Sequence, residues 1–549
     1  MPTEILKSCH RTFHTTKAIK IIPAQMNHTE VDNCIRILKE KPTGFLRKEN
    51  ISEKLQCFDT IQKVGTSHTI YFLIDFLKHD NILLRIKAAE TIVYLFAKIK
   101  SLNDYTDALK HLPIKTSDLD FYRVDFDTSI YVKLLCIASL NSSGYVREKS
   151  VKELSSIKNP EGLKFILLRL GDWVDPVRKI ATEAILSFLE SSYIDDLLKQ
   201  LETIDWLLKV KRIDLREIHT RIIQFILSHD FSDEFYNKIK RLNDKTRFRF
   251  YKKFLSNKKL TAEQLNKIMG ERNFLVRLHL MKHLSSLDTV TQKEVIGRFL
   301  QDHSAKVRLE ALYVSKPFRP DFDSRISLLL SDESTSVREL SRHFLKEHGI
   351  DFAALYRQRI DEGILLSGSL CGLSESGSSQ DLPIFEKYIS AKKSDLIIAS
   401  LIAINRFNAE KAKQYSLELL VHPTKSIRDK AVEILARNLD TEALEKVRDI
   451  YANGSYDIKK SILKLYNKIG GWNIVGDLLI AISDENKDIQ DIAWELLAKW
   501  KLNAIRLFTT PPKSELERAN RIYDSLNINK LRMTYSRTKL LEELKFYLR

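Results

Sequence analysis

The chain has 549 residues, with 89 Lys and Arg against 72 Asp and Glu, a formal net charge of +17. Its 44% hydrophobic and 29% charged residues exclude global disorder, and 16 Gly and 12 Pro are too few for a turn-rich sandwich or propeller. No apolar run reaches the roughly 18 residues that cross a bilayer; the nearest, Leu396 to Ile404, is too short and contains Ser400. At roughly 150 residues per domain the length equals three or four ordinary domains, unless it is a single repeat array, which absorbs any length.

From the N-terminus, residues 1–22 are Ser/Thr-rich and basic without an apolar core, which excludes a secretory signal and gives only weak support for an organelle transit peptide. Residues 1–62 have loose helical character and are expected to form a cap or strap. Five widely spaced cysteines (Cys9, Cys34, Cys57, Cys136 and Cys371) make a poor disulfide framework and fit a reducing compartment, so a cytoplasmic location is expected.

From residue 63 to 505 one pattern recurs. VREKS from Val146, VRKIA from Val177, VRLEA from Val307, VRELS from Val337 and IRDKA from Ile427 align with one another. Weaker copies start at Leu84, Leu215, Thr246, Val276, Leu366, Leu396, Ile458 and Ile489, which makes thirteen at a step near 31. The step is longer only between Leu84 and Val146 and between Val177 and Leu215. Self-similarity at this period indicates a solenoid.

The repeating element is helical. In the stretch from Asp323 to Gly349, Ile326, Leu329 and Leu330 recur at helical spacing. A polar turn follows, and Val337, Leu340, Phe344 and Leu345 mark a second amphipathic helix that Gly349 stops. Two short helices cannot bury both apolar faces alone, so neighbours must stack. The fold class is all-α: a right-handed α-solenoid of about thirteen two-helix repeats.

Residues 103–127, with Pro113 and many Asp, read as an inserted loop. The Gly/Ser stretch from Ser367 to Gln380 reads either as a linker or as a small-residue second helix and its turn, with the helix favoured. Residues 506–549 read as a basic helical cap or tail, with eleven Lys/Arg against five acids from Lys501 onward.

An Asp in the turn, then Val-Arg opening the second helix, then a small residue, resembles the HEAT-repeat family, in particular its short bacterial-type form. The residues are Asp172/Val177/Arg178/Ala181, Asp302/Val307/Arg308/Ala311 and Asp332/Val337/Arg338/Ser341. The resemblance implies an Arg–Asp ladder along the stack. It assigns Arg85, Arg147, Arg178, Arg216, Arg247, Arg277, Arg308, Arg338 and Arg428 to that structural role. Ser367, Ile397, Lys459 and Gln490 depart from the pattern and should interrupt the ladder.

The motifs of common chemistries are missing. There is no GxxxxGK[ST], GxGxxG, GxSxG, CxxC or HExxH, and the dipeptide His-Glu never occurs, against the HEAT-fold iron hydroxylases. Cys9, His10 and His14, and the i, i+4 pair His279 and His283, each lack the further ligands of a metal site. No enzyme activity, cofactor, metal or small-molecule substrate is expected.

Charge is concentrated from Lys238 to Lys259, where ten Lys/Arg meet one acid, Asp244. At about 100° per residue, Phe248, Phe250, Tyr251, Phe254 and Leu255 fall in one apolar arc and Lys245, Arg249, Lys252 and Lys253 in another. The aromatics are therefore expected in the core and the cations on a solvent face. The resemblance implies that second helices line a concave surface.

The residue five after each ladder Arg samples that surface: Glu90, Lys152, Glu183, Arg221, Lys252, Lys282, Tyr313, His343, then Glu433 and Glu495. Arg221, Lys252 and Lys282 make a positive stripe. The candidate partner-binding residues are thus Arg221, Lys245, Arg249, Lys252, Lys253, Lys282 and Tyr313. The expected function is a non-enzymatic scaffold that binds an acidic partner, a protein segment first and nucleic acid second. A membrane surface is disfavoured, because no amphipathic anchor or lipidation motif accompanies the patch. The alternative is an enzyme resembling the HEAT-like alkylpurine DNA glycosylases, although no catalytic Asp can be matched to that family.

Overall fold

The computed structural model describes residues 24–40, 49–99, 108–257, 260–319, 321–504 and 510–548. Among the described residues every regular element is a helix. The architecture is an all-α, HEAT-like solenoid, and the chain divides into two compact units, Met1–Val276 and Arg277–Arg549.

In the first unit, helix Ile51–Val64 packs between Ala24–Lys39 and Ile82–Ala97. Thr128–Ala138 packs on Ile82–Ala97 and on Gly144–Ile157, which in turn stacks on Asp175–Ser187. The apolar stripes explain the stacking. Val177, Ala181, Ala184 and Ile185 recur at helical spacing and are buried, as are Leu163, Ile166 and Leu167 of the helix Leu163–Arg169 that packs beside them. Each such Val, Leu or Ile side chain contributes about 1.5–3 kcal/mol when fully buried, so much of the stability lies in these shared faces.

Two irregular stretches of this unit differ from the sequence reading. Of the segment 103–127, residues 103–107 lie outside the described residues, and the rest is not all loop: residues 116–125 form helix Thr116–Asp125, which packs on Thr128–Ala138 and Gly144–Ile157. Leu84 and Val146 are two steps apart, and the skipped position falls at Lys115, where this helix begins. Asp118 accepts the Lys115 backbone N–H at 2.8 Å, and the first turn closes without a Val-Arg signature. The longer step between Val177 and Leu215 accommodates the short helices Ile194–Lys199 and Leu201–Trp206. The second packs on Arg216–Ser228 and on Asp244–Asn257.

The second unit is more regular. Helix pairs Thr289–Phe299/Ala305–Ser315, Asp323–Leu329/Thr335–Leu345 and Phe352–Asp361/Leu366–Ser376 follow one another. Leu382–Tyr388/Ser394–Phe407, Ala409–Leu419/Lys425–Asn438, Thr441–Asn453/Tyr456–Ile469 and Val475–Ala481/Lys487–Ala504 continue the series. The second helix of each pair stacks on the next. Gly349 ends its repeat at φ 64°, the left-handed conformation that glycine adopts without cost. Lys513–Asp524 packs on Val475–Ala481, and Tyr535–Leu548 buries Leu540, Leu541, Leu544 and Leu548 against Lys487–Ala504.

The Gly/Ser stretch is a helix, Leu366–Ser376, and not a linker. Its small residues allow close approach. A Cβ at Gly368 would overlap the Ser331 carbonyl oxygen, and one at Gly372 would run into the Tyr356 ring.

The ladder is built from two bonds per arginine. Nη1 donates to a carbonyl six residues earlier in Arg85, Arg147, Arg178, Arg308, Arg338 and Arg428. In Arg147, Arg277 and Arg308 the rest of the guanidinium reaches forward to the next turn, whereas Arg178 turns back to Asp175 of its own helix. Arg147 meets Asp172 with 2.8 Å bonds from Nε and Nη2, Arg277 meets Asp302 at 2.6 and 2.8 Å, and Arg308 meets Asp332 at 2.6 and 2.7 Å. Planar, bidentate geometry fixes direction as well as charge, so these pairs set the register of adjacent repeats.

Three places depart from the expected ladder. Arg216 is exposed and bonds only Asp214, two residues away, so it is not a rung. Arg338 bonds Glu375, with Arg342 joining at 2.8 Å, and does not pair with an acid of the next turn. Lys459 and Gln490 do not interrupt the ladder as expected. Lys459 Nζ donates to Asp484 at 2.8 Å, and Gln490 Nε2 donates to the Asp484 carbonyl six residues earlier at 2.7 Å.

Candidate functional site

The basic helix Asp244–Asn257 starts at Asn243, whose side chain accepts the Thr246 N–H at 3.0 Å. Phe250, Tyr251, Phe254 and Leu255 are buried, and Phe248 is half-buried. Phe254 lies 4.7 Å from the Phe231 ring, and Phe250 stacks on Phe254. The Tyr251 hydroxyl donates to the buried Glu271 at 2.9 Å, and Arg247 pairs with the same carboxylate at 3.4 Å. Burial, with Glu271 alongside, pushes the Tyr251 phenol far up. These rings are core, as the helical wheel predicts.

The opposite face is less free than the sequence suggests. Lys245 donates to Glu202 at 2.6 Å, Arg249 pairs with Glu202 and with Asp205 at 2.9 Å, and Lys253 meets Asp205 at 2.6 Å. Both acids come from helix Leu201–Trp206. Burial favours the neutral Asp205 carboxyl, but contacts from His219, Lys253 and Arg249 outweigh it and hold the group far below the usual carboxylate range. Glu202 is also lowered, first by its bond from Lys245. Arg249 and Lys253 are therefore half-buried members of an internal ion network, which corrects the picture of a uniform solvent face. Lys245, also paired, keeps 66% of its side chain exposed.

The signal for this network was present in the chain. Glu202 and Asp205, three apart in LETIDW, lie one helical turn from each other, matching the i, i+4, i+8 spacing of Lys245, Arg249 and Lys253.

The residues five after the ladder positions behave as a set. In the first unit Glu90, Lys152, Glu183, Arg221 and Lys252 are exposed. In the second Lys282, Tyr313, His343 and Glu495 are exposed, while Glu433 is half-buried between Lys430 and Arg437. Tyr313 retains 57% of its surface. Among the described residues, no carboxylate pairs with the side chains of Arg221, Lys252 or Lys282. The structure thus places Arg221 and Lys252 free on successive second helices of the first unit; in the second unit Lys282 lies in the turn just past helix Phe274–Met281 and Tyr313 on Ala305–Ser315.

His279 and His283 stand side by side, their Nε2 atoms 3.4 Å apart. Among the described residues no group of three His, Cys, Asp or Glu side chains gathers at metal-binding distance. Cys9, His10 and His14 lie outside the described residues. A cavity of about 700 Å³ in the first unit is lined by Tyr94, Phe96 and Phe165 together with Glu90, Lys133, Glu161, Lys164 and Asp196, a mixed charge set. Among the described residues no helix is long and apolar enough to cross a membrane.

No family model and no curated protein matches the chain. Among solved structures it is similar to Kap121p, at 12% identity over 92% of this chain and 66% of that one, TM-score 0.33. It is similar to Kap121p bound to Pho4p at 12% over 95% and 65%, TM-score 0.34. Importin beta matches at 10% over 90% and 81%, TM-score 0.27. The chain spans just under two thirds of the Kap121p structures it matches.

Proposed function

We propose that this protein is a non-enzymatic binding scaffold that recognises an acidic protein segment through the exposed cations of its second helices. The observation that supports the reading is the shared register. Position five after the aligned repeat arginines is exposed at Arg221, Lys252 and Lys282, and there it carries a cation that, among the described residues, no carboxylate neutralises. Lys245, Arg249 and Lys253 contribute a second, pre-paired tier, whose acids an incoming carboxylate must displace. An exposed cation is already hydrated and loses little on pairing, whereas the paired ones first give up a partner. The free residues therefore carry the larger share of recognition.

The test is fluorescence anisotropy with a glutamate-rich peptide of about 20 residues and, in parallel, single- and double-stranded DNA and RNA, across a range of salt. The wild type is compared with a variant carrying Arg221→Glu, Lys252→Glu and Lys282→Glu. The expected result is peptide binding that weakens with salt and falls by more than about tenfold in the variant, roughly 1.4 kcal/mol. Tighter binding of nucleic acid, lost in the same variant, reassigns the face to a phosphate backbone. Equal binding by both proteins ends the reading.

A further inference from the structure

The rung at Asp172 differs from its counterparts. Asp302 and Asp332 each take one bidentate arginine. Asp172 takes two: Arg147 holds both carboxylate oxygens, and Arg169 adds a bond to Oδ2 at 3.0 Å. The Val174 N–H completes the set at 2.9 Å, so the acid has no capacity left. Two guanidiniums therefore share one negative charge. The Arg169 Nε is buried with no hydrogen-bond partner, and a buried unpaired donor costs about 1–3 kcal/mol. Burial pushes Arg169 down from its ordinary value, and Arg147 and Arg212 add to that push against the pull of Asp172.

Arg169 lines a cavity of about 630 Å³ between the turn 170–174 and the segment 206–212. Lys209, Lys211 and Arg212 line its rim and are exposed, and the side chains of Lys211 and Arg212 have no ion-pair partner among the described residues. Two indoles complete the wall. Trp206 lies against Gly171, where a Cβ would come within 3.5 Å of the ring. Trp173 is 70% exposed, with the Arg147 guanidinium 5.8 Å from its ring. The volume is that of a small-molecule site, about 300–1,000 Å³.

We propose that this cavity binds a nucleoside phosphate, as a free nucleotide or as the phosphorylated end of a single strand. The four cations Arg169, Lys209, Lys211 and Arg212 face a single acid that is already saturated, so the site needs a multiply charged anion. A phosphate group accepts several charge-assisted bonds at once, as the clustered cations of this lining require. The indoles offer flat faces on which a base stacks, which a carboxylate side chain cannot use. This site is separate from the register of Arg221 and Lys252 and does not depend on the scaffold reading.

The experiment uses the full chain, with tryptophan fluorescence and calorimetry. ADP, adenosine, pyrophosphate, a 5′-phosphorylated oligothymidylate and a glutamate-rich peptide are titrated in turn. ADP is expected to bind below about 100 µM, with adenosine and pyrophosphate each weaker by roughly tenfold. Lys211→Glu with Arg212→Glu is expected to weaken ADP by roughly tenfold or more; both residues are exposed, so the fold should tolerate the change. Trp173→Ala is expected to weaken ADP by roughly fivefold and leave pyrophosphate unchanged, since stacking serves only the base. If the oligonucleotide displaces ADP and binds more tightly, the ligand is a strand end; if it does not, the ligand is a free nucleotide. The proposal is overturned if neither ADP nor the oligonucleotide binds more tightly than about 1 mM. It is also overturned if both variants match the wild type, or if the acidic peptide outcompetes ADP.

Discussion

The repeats between Arg277 and Leu345 and the stretch between Ile194 and Asn257 use the same kinds of residue in opposite ways. In the first, Arg277 and Arg308 are committed to Asp302 and Asp332 of the following turns, and the helix pairs keep the 31-residue step. In the second, a short extra helix breaks the step, Arg216 turns back to Asp214, and Glu202 and Asp205 are presented to the cations of the next helix. Where the period holds, charge is consumed in fixing register. Where it breaks, Arg221 and Lys252 stay unpaired, and one wall of the proposed cavity, residues 206–212, lies there.

The sharpest way to break this contrast is to remove one arginine from each region. Arg308→Ala leaves Asp332 nearly buried without its counter-charge and is expected to cost about 3–5 kcal/mol. Arg216→Ala removes an exposed, local pair and is expected to leave the urea midpoint unchanged. Parallel urea unfolding of the two variants decides it. Equal losses would mean that the ladder does not distinguish the regions.

Gly368→Ala comes next. The added methyl has no room beside the Ser331 carbonyl, and overpacking of this kind costs about 1–3 kcal/mol. Thermal unfolding measures it, with Gly349→Ala as a comparison in open space that carries only backbone strain.

The smallest expected effect is a pH dependence confined to the irregular stretch. The Asp205 carboxyl is held below its unfolded value of about 3.9. Its contribution is therefore fully present above that pH and lost as pH falls through the lower, folded value. Stability of the first unit should decline below about pH 4. Asp205→Asn should flatten the decline relative to wild type, as read from urea midpoints across the acid range.

The regular repeats were readable from the chain because Val-Arg openings, apolar stripes and turn aspartates all carry the same step. Helix Thr116–Asp125 was not, because its first turn is closed by Asp118 and Lys115 and displays no repeated signature. The continuation of the ladder through Lys459 and Gln490 was missed for a related reason: the geometry asks for a donor at that place, and an ammonium or an amide supplies one as a guanidinium does. At the candidate site the wheel separated core rings from cations correctly. It could not show that Arg249 and Lys253 face acids more than 40 residues earlier, since a wheel sees only its own helix.

The bidentate rungs span a fixed distance along the chain: 25 residues from Arg147 to Asp172 and from Arg277 to Asp302, and 24 from Arg308 to Asp332. Each of these three donors therefore finds its acceptor in the following turn. Cutting out one whole step of 30 or 31 residues brings an equivalent arginine and aspartate together across the new joint, whereas a cut of any other length sets guanidinium against the wrong face of a helix. Where the rungs are bidentate the ladder makes the repeats interchangeable parts, so that stretch of the array can gain or lose members during descent while its joints stay bonded.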